Sequence, residues 1–435
     1  MQSFEKSLGG WGMQSEWQAC TLGDFVRLQR GHDLTADEQR PGKVPVMGSA
    51  GQNGSHTEWK ARGPGVVIGR SGASIGRVHY SPVDYWPHNT CLYVTDFLGN
   101  DPRFAYYLLQ TLDLAGYNSG SAQPSLNRNY IYGMPLRVPS RFEQGRIVEV
   151  LQGLDDRIDL LRQTNTTLES VAKALFKSWF IDFEPVRAKA EGRDPDGMSR
   201  EIAALFPFGF EESALGLVPA GWKPRAIEEL AEKVGMGPFG SNIKVSTFVE
   251  CGIPVLNGSC LKDTLLEEVG CKFITEQHAE RLAGSLVRAG DIVITHRGTL
   301  GQVSLIASDS EYPNYMLSQS QFYLRTNSKE TTPEFMSYFL MSPAGQHLLL
   351  ANAAQVGVPS ISRPVTYLKS IRLAVPSIQV ARAFADLVAP LHRRVILGRR
   401  QIRVLGELRD NLLPRLISGK LRLPEVEDQL NEALA

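Results

Sequence analysis

The sequence lacks the features that mark several large classes of protein. No apolar run approaches the roughly 18 residues needed to cross a bilayer, and residues 1–18 contain no apolar core of the signal-peptide kind. The five cysteines are odd in number and form no CxxC pair, which favours reduced thiols over a disulfide framework or a zinc site. The 46 basic residues balance 46 acidic ones, so any contact with nucleic acid must depend on local patches. We therefore expect a cytoplasmic protein without a membrane segment.

Common catalytic motifs are also missing. Both Gly-Lys pairs, Gly42-Lys43 and Gly419-Lys420, are followed by an aliphatic residue instead of Ser or Thr, so neither is a P-loop. The sequence contains no HExxH and no GxSxG. Gly235-Met-Gly-Pro-Phe-Gly240 fits GxGxxG by letter, but residues 227–234 favour a helix, whereas a dinucleotide site needs a preceding strand. We predict a binding protein with no catalytic site and no metal site.

The two halves of the chain repeat each other. Residues 66–72 resemble residues 292–298, and residues 102–109 resemble residues 333–340. The spacing between matching positions grows from 205, between Trp17 and Trp222, to 237, between Val138 and Val375. Short apolar runs bounded by Gly, Asn, Ser and Pro favour strands, and leucine-rich stretches favour helices. The sequence therefore predicts an α+β protein built from two similar mixed α/β domains.

Each copy ends in a heptad pattern, typical of a helix that packs against another helix. One such helix cannot bury its apolar stripe alone, so we predict that the two form an antiparallel coiled coil. Asn165, Gly398 and Arg409 interrupt the stripe. Either the asparagine fixes the register or these positions lie near an end or a bend. The two matching series are Ile147, Leu151, Leu154, Ile158, Leu161, Asn165, Leu168, Ala172, Leu175 and Trp179, and Phe384, Val388, Leu391, Val395, Gly398, Ile402, Leu405, Arg409, Leu412 and Leu416.

Polar loops carry the candidate binding residues. They combine Arg and Lys with Asn, Ser and His, the residue types that contact phosphates and base edges. Each loop alone is more typical of an ordinary solvated loop, but the loops recur at matching places in both copies. The predicted DNA-binding residues are Arg27, Arg30, Asn53, Ser55, His56, Arg70, Arg77, Asn127 and Arg128 in the first copy, and Lys244, Asn257, Lys262, His296, Arg297, Ser362 and Arg363 in the second.

The order of these pieces resembles the specificity subunit of type I restriction-modification systems over essentially the whole chain. No single piece is a catalytic fingerprint, and their doubled order carries the resemblance. The pieces are Lys43-Val-Pro-Val-Met-Gly-Ser-Ala-Gly51, Val67-Ile-Gly-Arg-Ser-Gly-Ala-Ser-Ile-Gly-Arg-Val78, Pro124-Ser-Leu-Asn-Arg128, Gly237-Pro-Phe-Gly-Ser-Asn-Ile-Lys244, Gly252-Ile-Pro-Val-Leu256 and Asn411-Leu-Leu-Pro-Arg-Leu-Ile-Ser-Gly-Lys-Leu421.

The resemblance implies two target-recognition domains, separated by the paired helices, that each read half of a bipartite site on double-stranded DNA. It also implies that the helices set the gap and dock two methylation (M) subunits, and that restriction (R) subunits join them. S-adenosylmethionine, ATP and Mg²⁺ would belong to those partners, and this chain would bind no cofactor. Pro390 departs from a simple helix and puts the start of the second helix in doubt.

These features divide the chain into seven parts. We expect an N-terminal extension (1–16), a first recognition domain (17–140), a central helix (141–183) and a linker (184–216) rich in charge, Pro and Gly. A second recognition domain (217–377), a distal helix (378–421) and a tail (422–435) follow.

Two other classes of function compete with this interpretation. The first is a coiled-coil scaffold that binds only protein, which absent or salt-insensitive DNA binding in the presence of the methylation subunits would favour. A DNA-modifying enzyme needs a methyl-donor glycine loop and an Asn-Pro-Pro or Asp-Pro-Pro type motif, and neither is found in the sequence.

Overall fold

The computed structural model describes residues 17–118, 125–354 and 357–422. The chain forms two compact units. The first contains residues up to Leu160 and from Ile402 onward, and the second contains Leu161–Gln401. The predicted N-terminal extension, and the tail beyond residue 422, lie outside the described residues. Within the described ranges, no helix is both long and apolar enough to span a membrane.

The first unit is a mixed α/β fold that feeds into a long helix. Its helices are α1 (Leu22–Phe25), α2 (Pro102–Gln110), α3 (Arg128–Ile131) and the start of α4 (Arg141–Phe180). Its strands are β1 (Gln18–Thr21), β2 (Arg27–Arg30), β3 (Val44–Gly48), β4 (Gly51–His56), β5 (Gly65–Gly69), β6 (Val78–Ser81), β7 (Trp86–Pro87), β8 (Cys91–Asp96) and β9 (Pro135–Val138).

The second unit contains more short elements. Its helices are α5 (Glu184–Ala190), α6 (Arg200–Ala204), α7 (Ile227–Leu230), α8 (Glu276–Arg281), α9 (Pro333–Met341), α10 (Pro343–Leu350), α11 (Pro364–Ser370) and most of α12 (Ile378–Ile417). Its strands are β10 (Phe210–Ser213), β11 (Gly216–Pro219), β12 (Lys223–Ala226), β13 (Ala231–Met236), β14 (Ile253–Val255), β15 (Lys272–Ile274), β16 (Leu286–Val287), β17 (Asp291–Thr295), β18 (Val303–Leu305), β19 (Tyr315–Met316), β20 (Gln321–Thr326), β21 (Ala353–Ala354), β22 (Ser360–Ile361) and β23 (Arg372–Val375).

The two units share one sheet topology, as the sequence repeat predicted. The order β2-β8-β5-β6 in the first unit matches β13-β20-β17-β18 in the second. In each, a strand with no exposed residue, β5 or β17, lies inside the sheet because its apolar run has both faces covered. A second sheet contains a parallel pair in both units, β3 with β7 and β14 with β19. A two-stranded pair, β1-β9 or β12-β23, precedes each long helix.

Matching helices begin in matching ways. Asp101 caps α2 by accepting hydrogen bonds from the backbone N of Arg103 (2.7 Å) and Phe104 (2.9 Å). Thr332 caps α9 by accepting one from Phe335 N at 3.3 Å. A proline fills the first helical position of both helices, where its missing N–H costs nothing.

The long helices α4 and α12 pack antiparallel. In the second unit, the rings of Phe176 and Phe384 lie 5.7 Å apart, while Glu169, earlier in α4, pairs with Arg399, later in α12, at 2.9 Å. In the first unit, Asp155 pairs with Arg409 at 2.8 Å. The seam residues Ile147, Leu151, Leu154, Ile158 and Leu161, and Val388, Val395, Leu412 and Leu416, are buried.

The imperfect seam residues face residues of the paired helix, although the buried Asn165 Oδ1 atom accepts no hydrogen bond from the described residues. Gly398 lies beside Asn165, since a Cβ on this glycine would fall 2.4 Å from the Asn165 Oδ1 atom. The glycine thus makes room for a buried amide, which favours the register interpretation over an end or a bend. Arg409 forms its ion pair with the half-buried Asp155.

Three local expectations differ from the structure. The segment predicted as a linker contains α5, α6, β10 and part of β11, and its residues Val186 and Phe206 are buried in the core of the second unit. Residues 227–234 form only one turn of helix before β13 begins. Pro390 lies inside α12, which starts at Ile378 without delay.

Candidate functional site

Loops in the first unit meet beside the end of β5. The backbone N of Arg70 donates to the carbonyl O of Thr90 at 2.9 Å, and Leu126 N donates to the Arg70 carbonyl at 2.8 Å. Ser49 Oγ donates to Thr90 O. We call residues 30–33, 48–51, 69–77, 88–90 and 125–128 the first loop cluster.

The second unit repeats these contacts at matching positions. His296 N donates to the Ser320 carbonyl at 2.9 Å, and Ile361 N donates to the His296 carbonyl at 2.9 Å. The His296 ring is 3.3 Å from the Gln319 carbonyl through Nε2. His296 therefore takes the place of Arg70, and Ile361 that of Leu126. We call residues 237–244, 257–262, 296–302, 318–320 and 359–363 the second loop cluster.

Glycine explains why one loop of each cluster can approach another so closely. A Cβ on Gly31 would fall 2.0 Å from the His88 carbonyl, and one on Gly237 would fall 1.9 Å from the Ser318 carbonyl. Gly237 is the second glycine of the GxGxxG sequence, which begins inside strand β13 and continues into a loop instead of a helix. The glycine pattern is therefore a packing requirement, and the helix N-terminus of a dinucleotide site is absent from this described segment.

Most predicted cations of the first unit are engaged within the unit. Arg27 donates to the Gly23 carbonyl at 2.5 Å, and Arg128 donates to the Leu28 carbonyl at 2.8 Å through Nη1. Arg30 pairs with Asp33 at 3.4 Å, and Arg70 donates to the Asn89 carbonyl at 3.4 Å. These bonds orient the guanidinium groups and use part of their donor capacity.

The predicted cations of the second unit differ in this respect. Their side chains are exposed, and among the described residues none has a carboxylate within ion-pair distance. An unpaired, exposed cation keeps all its donors for a ligand. These residues are Lys244, Lys262, Arg297 and Arg363. Arg77 of the first unit is likewise exposed.

The asparagine and serine candidates differ in their exposure and hydrogen bonds. Asn53 is exposed on β4, while Ser55 Oγ accepts a hydrogen bond from Gly42 N at 3.4 Å. Asn127 and Asn257 each turn their loop by accepting from the backbone N two residues later, at 3.0 and 2.8 Å. Ser362 is exposed and bonded through its backbone to Asn352.

His56 does not face solvent. It is 6% exposed, its Nδ1 accepts from Arg40 N at 3.0 Å, and its ring packs edge-on against Trp86. We therefore leave His56 out of the proposed interface, because its ring is buried and its Nδ1 atom is already bonded within the unit.

Burial favours the neutral form of the His296 and His79 rings. Burial lowers the pKa of each imidazole below its ordinary value of 6.5, although a backbone carbonyl partner, Gln319 or Ser49, opposes the shift. Both rings are therefore expected to be neutral at pH 7. The positive charge of the second cluster comes from its Lys and Arg residues.

Several residues that join the loops were not found from the sequence. The Asn89 backbone carbonyl accepts a hydrogen bond from the Arg70 guanidinium, and the Asn89 side-chain amide donates one to the Asp33 carboxylate. Gln302 donates to the Gly258 carbonyl at 2.9 Å and accepts from Thr295 Oγ1 at 3.1 Å. No spacing in the sequence marks such residues, because each joins segments distant in the chain. No group of three or more His, Cys, Asp or Glu within the described ranges is arranged to hold a metal ion.

Comparison with known proteins supports the resemblance. Residues 14–170 match the family model of the type I restriction modification DNA specificity domain. The chain is 25% identical over 366 residues to the HindI type I restriction enzyme specificity subunit of Haemophilus influenzae, covering 74% of this chain and 77% of that protein. It is 26% identical over 337 residues to the MjaIX specificity subunit of Methanocaldococcus jannaschii, covering 74% and 70%.

A solved structure shows the same fold. The crystal structure of a type I restriction-modification S subunit from M. genitalium matches with a TM-score of 0.60 and 16% identity, covering 94% of this chain and 97% of that one. The predicted resemblance and the predicted fold class are thus confirmed.

Proposed function

We propose that this chain, which carries a type I restriction modification DNA specificity domain and resembles type I specificity subunits, is the DNA-reading, non-catalytic subunit of such a system. The carrying observation is that one loop cluster occurs twice, with Arg70 and His296, and Leu126 and Ile361, making the same backbone contacts. A repeated cluster suits the reading of a DNA site in two parts.

Each cluster, in this proposal, reads one half of a bipartite site on double-stranded DNA. Exposed Lys and Arg contact phosphates, and the Asn, Ser and Arg side chains contact base edges. The chain's zero net charge agrees with binding through local cationic loops.

The paired helices α4 and α12 set the gap between the half-sites and dock two M subunits. R subunits complete the restriction complex. S-adenosylmethionine, ATP and Mg²⁺ serve the partners' chemistry, and this chain contributes orientation of the complex on DNA.

Single-molecule methylation mapping tests the proposal. DNA is taken from cells that express this chain with the proposed M subunits, and from cells that express the M subunits alone. We expect methylation at a two-part sequence with a fixed gap only when both proteins are present. A continuous motif, or the same motif without this chain, contradicts the proposal.

A DNA-binding measurement distinguishes the proposed DNA-reading role from a scaffold that binds only protein. The assembled complex should bind its mapped site with an affinity that falls steeply as salt rises, because Lys and Arg displace counterions from phosphates. DNA binding that is absent, or insensitive to salt, while the complex still assembles, indicates a protein scaffold. Methyl transfer by the isolated chain indicates an enzyme.

A further inference from the structure

Phe239 is the most exposed of the large apolar side chains in the described parts of the chain, at 86%. It follows Gly237 and Pro238 at the tip of a loop in the second cluster. A single exposed apolar residue is common on protein surfaces, so exposure alone shows nothing. Phe239 differs from such residues in the loop that holds it and in the groups around it.

The loop holds Phe239 in a defined position. Gly237 N donates to the Gln321 carbonyl at 2.8 Å, and Asn242 N donates to the Phe239 carbonyl at 2.9 Å. The Asn242 carbonyl lies 2.8 Å from His278 Nε2. Both sides of the tip are thus anchored, and the ring is presented to solvent by a structured turn.

The ring projects from the part of the unit that carries the unpaired cations. Gly240 touches the side chain of Gln319, since a Cβ there would fall 1.9 Å from Gln319 Oε1, and the Gln319 carbonyl contacts His296. Arg297 follows His296, and Lys244 lies in the same loop as Phe239. The apolar ring and these cations are therefore carried by neighbouring loops of the second cluster, whose charge suits a polyanion.

The first unit has a different residue at this place. Gly31 matches Gly237 in its close approach to a carbonyl, so Asp33 matches Phe239. Asp33 is bonded to Arg30 and Asn89. The first unit thus holds a paired carboxylate where the second presents a bare ring.

We propose that the Phe239 ring contacts DNA bases directly, as a wedge inserted at a base step of the half-site read by the second unit. This inference rests on the proposed function. A phenyl ring offers nothing to a phosphate, but it can replace base stacking at a flexible step, and proteins use Phe in this way. The neighbouring cations hold the backbone on either side of the opened step.

Fluorescence of 2-aminopurine tests the wedge in the assembled methyltransferase complex. Once mapping has given the half-site, duplexes carry 2-aminopurine in place of each adenine of that half-site except the methylated one. We expect one position to brighten on binding, because an unstacked 2-aminopurine fluoresces more strongly. Phe239→Ala should abolish the increase and weaken binding roughly 10- to 100-fold, and Phe239→Trp should retain both effects.

Two controls separate the wedge from other effects of removing an apolar ring. Phe208→Ala removes another exposed ring of the second unit, 76% exposed, outside the loop cluster, and should change neither signal. Asp33→Ala alters the matching position of the first unit and should leave the 2-aminopurine signal of the second half-site unchanged.

The outcomes distinguish failure of the wedge from failure of the proposed function. If the mapped site is bipartite but Phe239→Ala binds and brightens like the unaltered chain, the wedge is wrong and the DNA-reading role stands. If Phe239→Ala loses the M subunits, the ring is a protein contact and the wedge is wrong. If no two-part site exists, both proposals fail.

Discussion

The two units repeat one fold but use their loop cations differently. In the first, Arg30, Arg70 and Arg128 are bonded to groups of the unit itself. In the second, Arg297 and Arg363 are exposed without a carboxylate partner among the described residues. The repeat therefore conserves the backbone contacts between loops and leaves the chemistry of the side chains free to differ. Two such surfaces are suited to reading different half-sites.

The same contrast holds where each domain meets the helices. Tyr107 donates to Asp155 at 2.6 Å, and Asp155 also pairs with Arg409. At the matching positions, Tyr338 lies 2.9 Å from His392 Nε2. One unit joins its tyrosine to a charged network and the other to a buried, neutral imidazole.

We expect the largest effect from lengthening both paired helices, which should change the DNA sequence that is recognised. Four residues added to α4 after Leu160 and four added to α12 after Gln401 lengthen both helices by about 6 Å. At about 3.4 Å per base pair, the gap should grow by one or two base pairs while both half-sites stay the same. Methylation mapping measures the gap.

A matched variant controls the insertion. Adding the four residues to α4 alone leaves α12 at its old length, so the seams lose register and the protein should become less stable. An unchanged gap in the doubly lengthened chain, or altered half-sites, shows that the helices do not set the spacing.

The Asp155 network should matter more than an exposed ion pair. Asp155 also lies 3.9 Å from the partly buried Arg103 guanidinium. Asp155→Ala removes the acceptor of Tyr107 and leaves Arg409 and Arg103 without this carboxylate, so we expect a loss of about 3 to 5 kcal/mol in the free energy of unfolding. Asp410→Ala removes the exposed partner of Arg409 and should cost about 0 to 1 kcal/mol. Urea denaturation gives both values. Equal losses of stability in the two variants would show that the Asp155 network matters no more than the exposed Arg409–Asp410 pair.

His392 should make the stability of the second unit depend on pH. Burial lowers the pKa of His392 from 6.5 to about 4, so the unfolded chain binds this proton more readily than the folded one. Its contribution is complete above pH 6.5 and is lost as the pH falls towards 4, by up to about 3 kcal/mol.

The measurement is the difference in unfolding free energy between pH 7 and pH 4.5. His392→Gln should reduce this difference, and Asp410→Ala should leave it close to that of the unaltered chain. His79 and His296 also have lowered pKa values, so part of the dependence should remain. If the unaltered chain and His392→Gln lose the same stability between pH 7 and pH 4.5, His392 is not the source of the pH dependence.

The smallest effects are expected at the matching arginines. Arg363→Ala removes an exposed side chain, so it should cost about 1 to 3 kcal/mol of binding, relax only its own half-site and leave unfolding unchanged. Arg128→Ala also removes the hydrogen bond to the Leu28 carbonyl, so it should lower stability by about 1 kcal/mol. Binding titrations and thermal unfolding of both variants separate the effects. Binding that is unchanged in both supports a purely structural role for these arginines.

Much of the fold could be predicted from local patterns. The heptads of α4 and α12 and the buried runs of β5 and β17 report burial directly, because apolar residues recur with the period of a helix or a strand. The structured segment 184–216 was missed because charge, Pro and Gly indicate surface, although Val186 and Phe206 within it are buried. The sequence marked the polar loops that form the two clusters, but not the burial or bonding of each side chain, as buried His56 shows.

The sequence by itself determined the repeat, the two paired helices and the loops rich in polar residues, since these follow from periodicity and from the positions of Gly and Pro. Only the tertiary structure decided that Asn165 meets Gly398, that Arg128 is bonded while Arg363 is exposed, and that Phe239 projects from its loop. The physical reason is distance along the chain. A side chain's partners lie up to hundreds of residues away, and its burial depends on which segments the fold brings together.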